Sequence, residues 1–349
     1  MDHKKNAIAA WRTPFSRPTI PFLLQPYRMA NYHPCPGIWR YIRRILSMPP
    51  FQFCTKSLFR LGSRKHGTFF FTDQNGKEHR IRFRAGNSQF HSIYFNYCDK
   101  GFEPEVATLI DLCCCDTTIF YDIGANWGHH SLYLSSKPNY QGKIYAFEPV
   151  PQTFQDLRSI VKQSHLETTI HCSALALSNQ TGTQPMSFLD GFSSGSARLS
   201  TSTESWLVKI EQLDHLGFPD PDVIKLDAEG EEANILKGGR ELLQRTKPWI
   251  IFESLRDMTV PKNSLKVFHV LQNLGYVFFE PAFVLREEGR FYAVHLSDVI
   301  GKEHQLSFGL FQLPLEKRFL CKGDNFLACH KEKIPELREK LHSRNFYMA

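Results

Sequence analysis

The sequence lacks any apolar run of the eighteen or more residues from which a membrane-spanning helix is read. No continuous apolar h-region marks its first residues, so no secretory signal is expected and a cytoplasmic location is the expectation. A C-x-x-C pair is also missing, and the nine cysteines are odd in number, with Cys113, Cys114 and Cys115 adjacent. That pattern suits neither a disulfide framework nor a zinc site; cysteine reads as ordinary filler in a reducing compartment. There is no internal repeat and no RNA-binding signature, so nucleic acid is not an expected partner.

What is present is 349 residues with 42% hydrophobic content, enough for a sizeable core in one large domain with an extension. The charge is uneven. Residues 1–50 hold eight Lys or Arg against one acidic residue, which accounts for the whole chain's net +7. Eight of the twenty prolines lie there too, so 1–50 reads as a basic, partly extended segment of different character. Within it, Gly37–Ser47 has the spacing of a basic helix that could lie on an anionic membrane surface or pack on its own domain; packing is the preferred reading.

Residues 51–115 read as a subregion that packs on the core. Alternation on both sides of Asn75-Gly76 predicts a hairpin, with Arg80, Arg82 and Arg84 on one face of its second strand. Such a row could grip an anion, but is more often a solvated face. Gln89–Cys98 and a helix over Glu103–Cys113 then lead into the domain proper, expected over 116–349.

The organising stretch is Thr117–Gly128, TTIFYDIGANWG. Thr118–Tyr121 suits a buried parallel strand, Asp122 ends it, Gly124 and Gly128 bracket a turn, and His129–Ser135 has helical spacing. Strand, glycine turn and helix form the first unit of an open α/β sheet, whose ligands sit at the carboxyl ends of its strands. A dinucleotide turn favours G-x-G-x-x-G around a pyrophosphate. Here Asn126 stands where a middle glycine would, and the Asp122 carboxylate would repel phosphate but attract an ammonium group. S-adenosylmethionine carries an ammonium and a sulfonium, so charge favours a methyl donor; alternatively, Asp122 merely caps the turn.

Lys143–Glu148 is a second strand ending in an acid. A carboxylate there can accept both hydroxyls of a ribose, which points to a nucleoside ligand without choosing its class.

The segments FYDIGANWGHHSLYL, IYAFEPVP and DVIKLDAEGEEANILKGGRELLQRTKPWIIFES together resemble the FkbM family of S-adenosylmethionine-dependent methyltransferases, over roughly Asn87–Glu253. The resemblance implies a Rossmann-like class I methyltransferase fold, a mostly parallel seven-stranded sheet with helices on both faces. It also implies methylation of a hydroxyl on a saccharide or secondary-metabolite small molecule. On it, Asp122 would meet the methionine ammonium, Gly124, Asn126 and Gly128 would form the cofactor turn, and Glu148 would hold ribose. Ser173 and Ala174, ending the third strand Thr168–Ala174, would lie near adenine. Phe192, Ser193 and Ser194 match a serine-bearing loop often found ahead of the fourth core strand, within a Ser/Thr/Gly-dense segment, Asp190–Ser205, that reads as irregular.

Val223–Leu226 is the fourth core strand, ending at Asp227. Methyl transfer to a hydroxyl needs the acceptor oxygen oriented and its proton received. Asp227 is the first candidate and Glu229 the second, with a helix N-terminal charge as the alternative role for Glu229. Asp227 and Glu253, on neighbouring strand ends, could hold a divalent ion, although no metal ligand is assigned. His129 and His130 could reach the cleft but carry no assigned role. A nicotinamide-dependent oxidoreductase and a non-catalytic scaffold on the same fold remain rivals, since fold alone does not specify function.

Overall fold

The structure, a computed structural model, describes residues 14–16, 66–84, 103–188, 197–199, 206–254, 265–287, 290–294, 306–315 and 324–348. The remainder of the basic segment 1–50, including Gly37–Ser47, lies outside the described residues, as do Gln89–Cys98 and Phe192, Ser193 and Ser194.

The predicted hairpin forms. Strand β1 (Phe15–Ser16) pairs antiparallel with β2 (His66–Thr72), and β2 pairs with β3 (Glu78–Arg84). Asp73 Oδ1 accepts the N–H groups of Asn75 and Lys77, and Gly76 takes φ 78°, a left-handed turn that glycine adopts without steric cost. Phe69, Phe71, Ile81 and Phe83 turn inward. Arg80 and Arg82 face solvent, whereas Arg84 grips Asp156 with two hydrogen bonds of 2.8 Å.

Helix α1 (Pro104–Cys113) starts on a proline, whose missing N–H costs nothing in a first turn, and buries Val106, Leu109, Ile110 and Cys113. Then come β4 (Ile119–Ile123), α2 (His129–Ser135), β5 (Lys143–Phe147), α3 (Pro151–Gln163) and β6 (Ile170–Ser173). The chain next builds a separate four-stranded sheet from β7 (Ala176–Leu177), β8 (Gly182–Phe188), β9 (Ala197–Leu199) and β10 (Trp206–Glu211), in the order β7-β10-β8-β9. Part of the expected loop, Ala197–Leu199, is therefore strand: pairing with β8 overrides its polar composition.

The main sheet resumes with β11 (Val223–Leu226), α4 (Glu232–Lys237), α5 (Arg240–Thr246), β12 (Trp249–Glu253), α6 (Lys266–Asn273) and β13 (Tyr276–Glu287). After β14 (Arg290–Val294) and β15 (Leu306–Gln312), β16 (Asn325–His330) inserts antiparallel between β12 and β13, and α7 (Ile334–Ser343) and β17 (Tyr347–Met348) follow. Spatial order is β6-β5-β4-β11-β12-β16-β13, with β6 to β12 parallel. This seven-strand core matches the expected α/β architecture. Among the described residues the sheet itself has ten strands, because β13 runs on past Pro281 to pair with β14 and β15, and β15 with β17. A proline usually marks an edge or an end, which is why the continuation does not show in the sequence.

Alternate residues of the parallel strands feed two cores. Phe120, Ile144, Val223 and Ile251 pack with α1, α2, α3 and the hairpin, while Tyr121, Phe147, Ile224 and Phe252 pack with α4 and α6. No helix among the described residues is long and apolar enough to cross a membrane.

Candidate cofactor and acceptor site

The β4–α2 turn is fixed by steric and hydrogen-bond constraints. Gly124 has φ 72°, and a Cβ there would lie 1.7 Å from the backbone oxygen of Asp227. Only glycine fits, because two parallel strand ends approach at that point. The N–H groups of Gly124 and Ala125 both donate to Phe147 O, at 3.1 and 3.0 Å, pinning the turn to β5. Asn126 takes a left-handed φ of 50°, which asparagine tolerates better than most residues. Gly128, at φ 92°, starts α2, and a Cβ there would meet Leu157 of α3 at 2.6 Å. Gly128 thus acts through helix packing as well as through the turn.

Glu148 follows β5 and is only 4% exposed. Its Oε2 accepts the N–H of Asn126 at 2.9 Å and its Oε1 that of Val150 at 2.8 Å. Burial pushes its pKa up to about 7 despite these two N–H groups, which act the other way. Gly124 to Trp127, Glu148, Lys225, Asp227 and Glu229 share one open cleft, of about 910 Å³ with its mouth included.

Other expected residues sit differently. Asp122 is 0% exposed and lies behind the cleft wall, where its Oδ2 accepts the Ser131 hydroxyl at 2.6 Å. Its Oδ1 is 3.8 Å from Lys225 Nζ, so the ammonium facing Asp122 is the chain's own. Ser173 and Ala174 do not reach the wall, whose adjoining residues are Leu175, Ala176 and Leu177. The backbone oxygen of Ser173 instead accepts the N–H of Glu148 at 3.1 Å and helps hold that carboxylate in place.

Lys225, in the otherwise apolar β11, was not singled out from the sequence. It is 5% exposed and donates to Asp227 Oδ2 at 3.1 Å and to Gly124 O at 3.2 Å. Burial alone would lower its pKa, but the Asp227 and Asp122 carboxylates hold it above the ordinary lysine value. The available signal was a charged residue in a fully buried strand, which requires a partner.

Asp227 lines the cleft, engaged by that lysine. Glu229 lines it at a left-handed φ of 52°. The helix-terminal role considered for Glu229 falls to Glu232, whose Oε1 accepts the N–H groups of Ala228 and Gly230 at 2.9 and 3.0 Å. Burial, followed by the negative charges of Asp227, Glu103 and Glu229, raises the Glu253 pKa to about 9. Asp227 already accepts from the Lys225 ammonium. Among the described residues no group of three or more His, Cys, Asp or Glu is placed to hold a metal. Also lining the cleft, His130 Nε2 lies 2.9 Å from Glu103 Oε2, and the His129 ring stacks on Phe15 at 4.8 Å.

The parallel sheet, the pinned glycine turn and the acid at the next strand end give the Rossmann-like class I methyltransferase fold. Residues 122–278 match the methyltransferase FkbM domain. Over 129 residues the chain is 30% identical to the hexuronic acid methyltransferase AglP of Haloferax volcanii, covering 36% of this chain and 52% of that protein. The match therefore spans about half the length of that relative. Among solved structures, a methyltransferase FkbM from Methylobacillus flagellatus is 16% identical, with TM-score 0.37, covering 62% of this chain and 44% of that one. The Bacillus cereus O-methyltransferase in complex with SAH is 13% identical, with TM-score 0.35, covering 64% and 77%.

Proposed function

We propose that this protein uses S-adenosylmethionine to methylate a hydroxyl group on a saccharide or related small molecule. The observation that carries this reading is Glu148: a buried carboxylate fixed by two backbone N–H groups beside the Gly124–Asn126 turn. Such an acceptor suits a ribose diol. Glu103, Glu148, Asp227 and Glu229 line the same cleft and disfavour a pyrophosphate, which counts against a nicotinamide dinucleotide. The relative named for hexuronic acid methylation supports a sugar-type acceptor.

When bound, S-adenosylmethionine supplies an electrophilic methyl group. The chain's own residues do the rest. Gly124 allows close backbone approach, Asn126 presents Glu148, and Glu148 binds the ribose. Asp122 acts through Ser131 and Lys225 rather than by contact. Lys225 keeps Asp227 in place as a hydrogen-bond acceptor that orients the incoming hydroxyl, and Glu229 lines the same entrance. We assign this chemistry to 116–349, with the hairpin of 51–115 docked on α3 through Arg84 and Asp156 and 1–50 as an appended basic segment. A soluble, cytoplasmic enzyme acting on a small molecule fits this reading.

The test is transfer of labelled methyl from S-adenosylmethionine to methyl glycosides of neutral hexoses and of hexuronic acids. The proposal expects alkali-stable label, as an ether on a hydroxyl. Alkali-labile label would mean an ester on a carboxyl group, and label on neither would oppose a sugar acceptor.

A further inference from the structure

Resting on that reading, we infer that Glu103 and His130 form the pair that receives the acceptor's proton. Both line the cleft that Asp227 lines, and they come from separate elements, the start of α1 and the first turn of α2. Glu103 Oε2 and His130 Nε2 are 2.9 Å apart, with the imidazole nearly buried and the carboxylate more open, at 28% side-chain exposure. Glu103 holds φ 45° and ψ 61°, a left-handed conformation that a side chain rarely adopts, and it directly precedes Pro104. A residue before proline is pushed toward extended backbone, so this conformation is strained, as residues held at functional sites often are.

Asp227 is engaged by Lys225, whereas this pair couples a carboxylate facing the cleft to an imidazole, the side chain whose ordinary titration falls nearest neutrality. In the reaction the acceptor oxygen bonds to the methyl carbon as the carbon–sulfur bond breaks, its electron pair remaining on sulfur. The hydroxyl proton passes to the Glu103–His130 pair, which shares it as one unit. The charged and titratable groups that act on the pair are Glu105 on α1, the His129 ring at 5.0 Å, Lys225 of β11 and Glu253 of β12, with Asp227 and Glu229 lining the same cleft.

The test needs no acceptor. S-adenosylmethionine and S-adenosylhomocysteine share the amino acid and nucleoside ends and differ at sulfur, a sulfonium cation against a neutral thioether. After calorimetry confirms that both bind, the His130 ring is titrated by NMR in each complex, with His130→Gln giving its assignment. A pair facing the transferred methyl feels the sulfonium. Its midpoint should then be lower by about half a unit or more in the S-adenosylmethionine complex, and Glu103→Gln should lower it further by removing the anion. If His130→Gln does not fold, Glu103→Gln gives the assignment, because a single ring should move. Equal midpoints in the two complexes, or no titration between about pH 5 and 9, would overturn the inference. Equal midpoints would place the pair at the amino acid end instead. Failure of both ligands to bind would remove the methyl-donor reading, and this assignment with it.

Discussion

Lys225 Nζ lies 3.1 Å from Asp227 Oδ2 and 3.8 Å from Asp122 Oδ1, a single buried ammonium shared by two carboxylates. Removing one partner of a buried ion pair leaves uncompensated charge. Lys225→Met should therefore cost about 3 kcal/mol in denaturant unfolding at neutral pH. Because Lys225 is held above its ordinary value, its contribution is fully present below that value. It is lost only as pH rises through the raised one, so the deficit should stay constant from pH 6 to 8. A variant as stable as the parent would show that the ammonium does not hold this end of the sheet.

Gly124 and Gly76 make a matched pair. Both have φ above 70°, but a Cβ at Gly124 meets Asp227 O whereas one at Gly76 meets nothing within 4 Å. Gly76→Ala should cost about 1 kcal/mol, the left-handed backbone term alone. Gly124→Ala should cost at least about 3 kcal/mol and abolish cofactor binding. Thermal unfolding of the two variants compares them directly, and equal shifts would contradict the close approach of the strand ends.

Glu148 predicts a pH dependence. Burial raises it from 4.5 to about 7, so the stability it contributes as the neutral acid is present below 4.5 and lost as pH rises to about 7. In the proposed role, ribose hydroxyls donate to the ionised form, so affinity for S-adenosylmethionine should increase about tenfold between pH 6 and 8. Glu148→Gln should flatten both slopes. A parent protein with pH-independent affinity would contradict this assignment.

Asp227→Asn preserves the shape and an oxygen that can accept from Lys225, but removes the charge proposed to orient the acceptor. Once an acceptor is in hand, turnover should fall about tenfold to a hundredfold with cofactor affinity within about threefold. Unchanged turnover would take Asp227 out of the site.

The parts of the fold legible in the sequence were those with local causes. The helix His129–Ser135 has its predicted bounds, and β4 and β5 sit where β-branched and aromatic runs put them, because apolar runs ending in glycine and acid fix a strand–turn–helix unit. The position of Glu148 at the end of β5 was legible for the same reason. The rest depends on tertiary contacts. Glu103 and His130 are 27 positions apart and meet only when α1 packs beside α2. Asp122 looked like a ligand residue because nothing in its own strand shows that Lys225, on the neighbouring strand, faces it. Leu175 to Leu177 replace Ser173 and Ala174 on the wall because the chain bends away after β6 to start the four-stranded sheet, whose polar strands resemble a loop.

The measurement that tests the central claim most directly is calorimetric titration of the full chain with S-adenosylmethionine, set against NAD, in the parent and in Glu148→Ala. Loss of a buried carboxylate that accepts two ribose hydroxyls should weaken binding by tenfold or more, roughly 1.5–3 kcal/mol. The account predicts binding of the methyl donor alone, weakened in this way. Binding of NAD, or donor affinity untouched by Glu148→Ala, would contradict it.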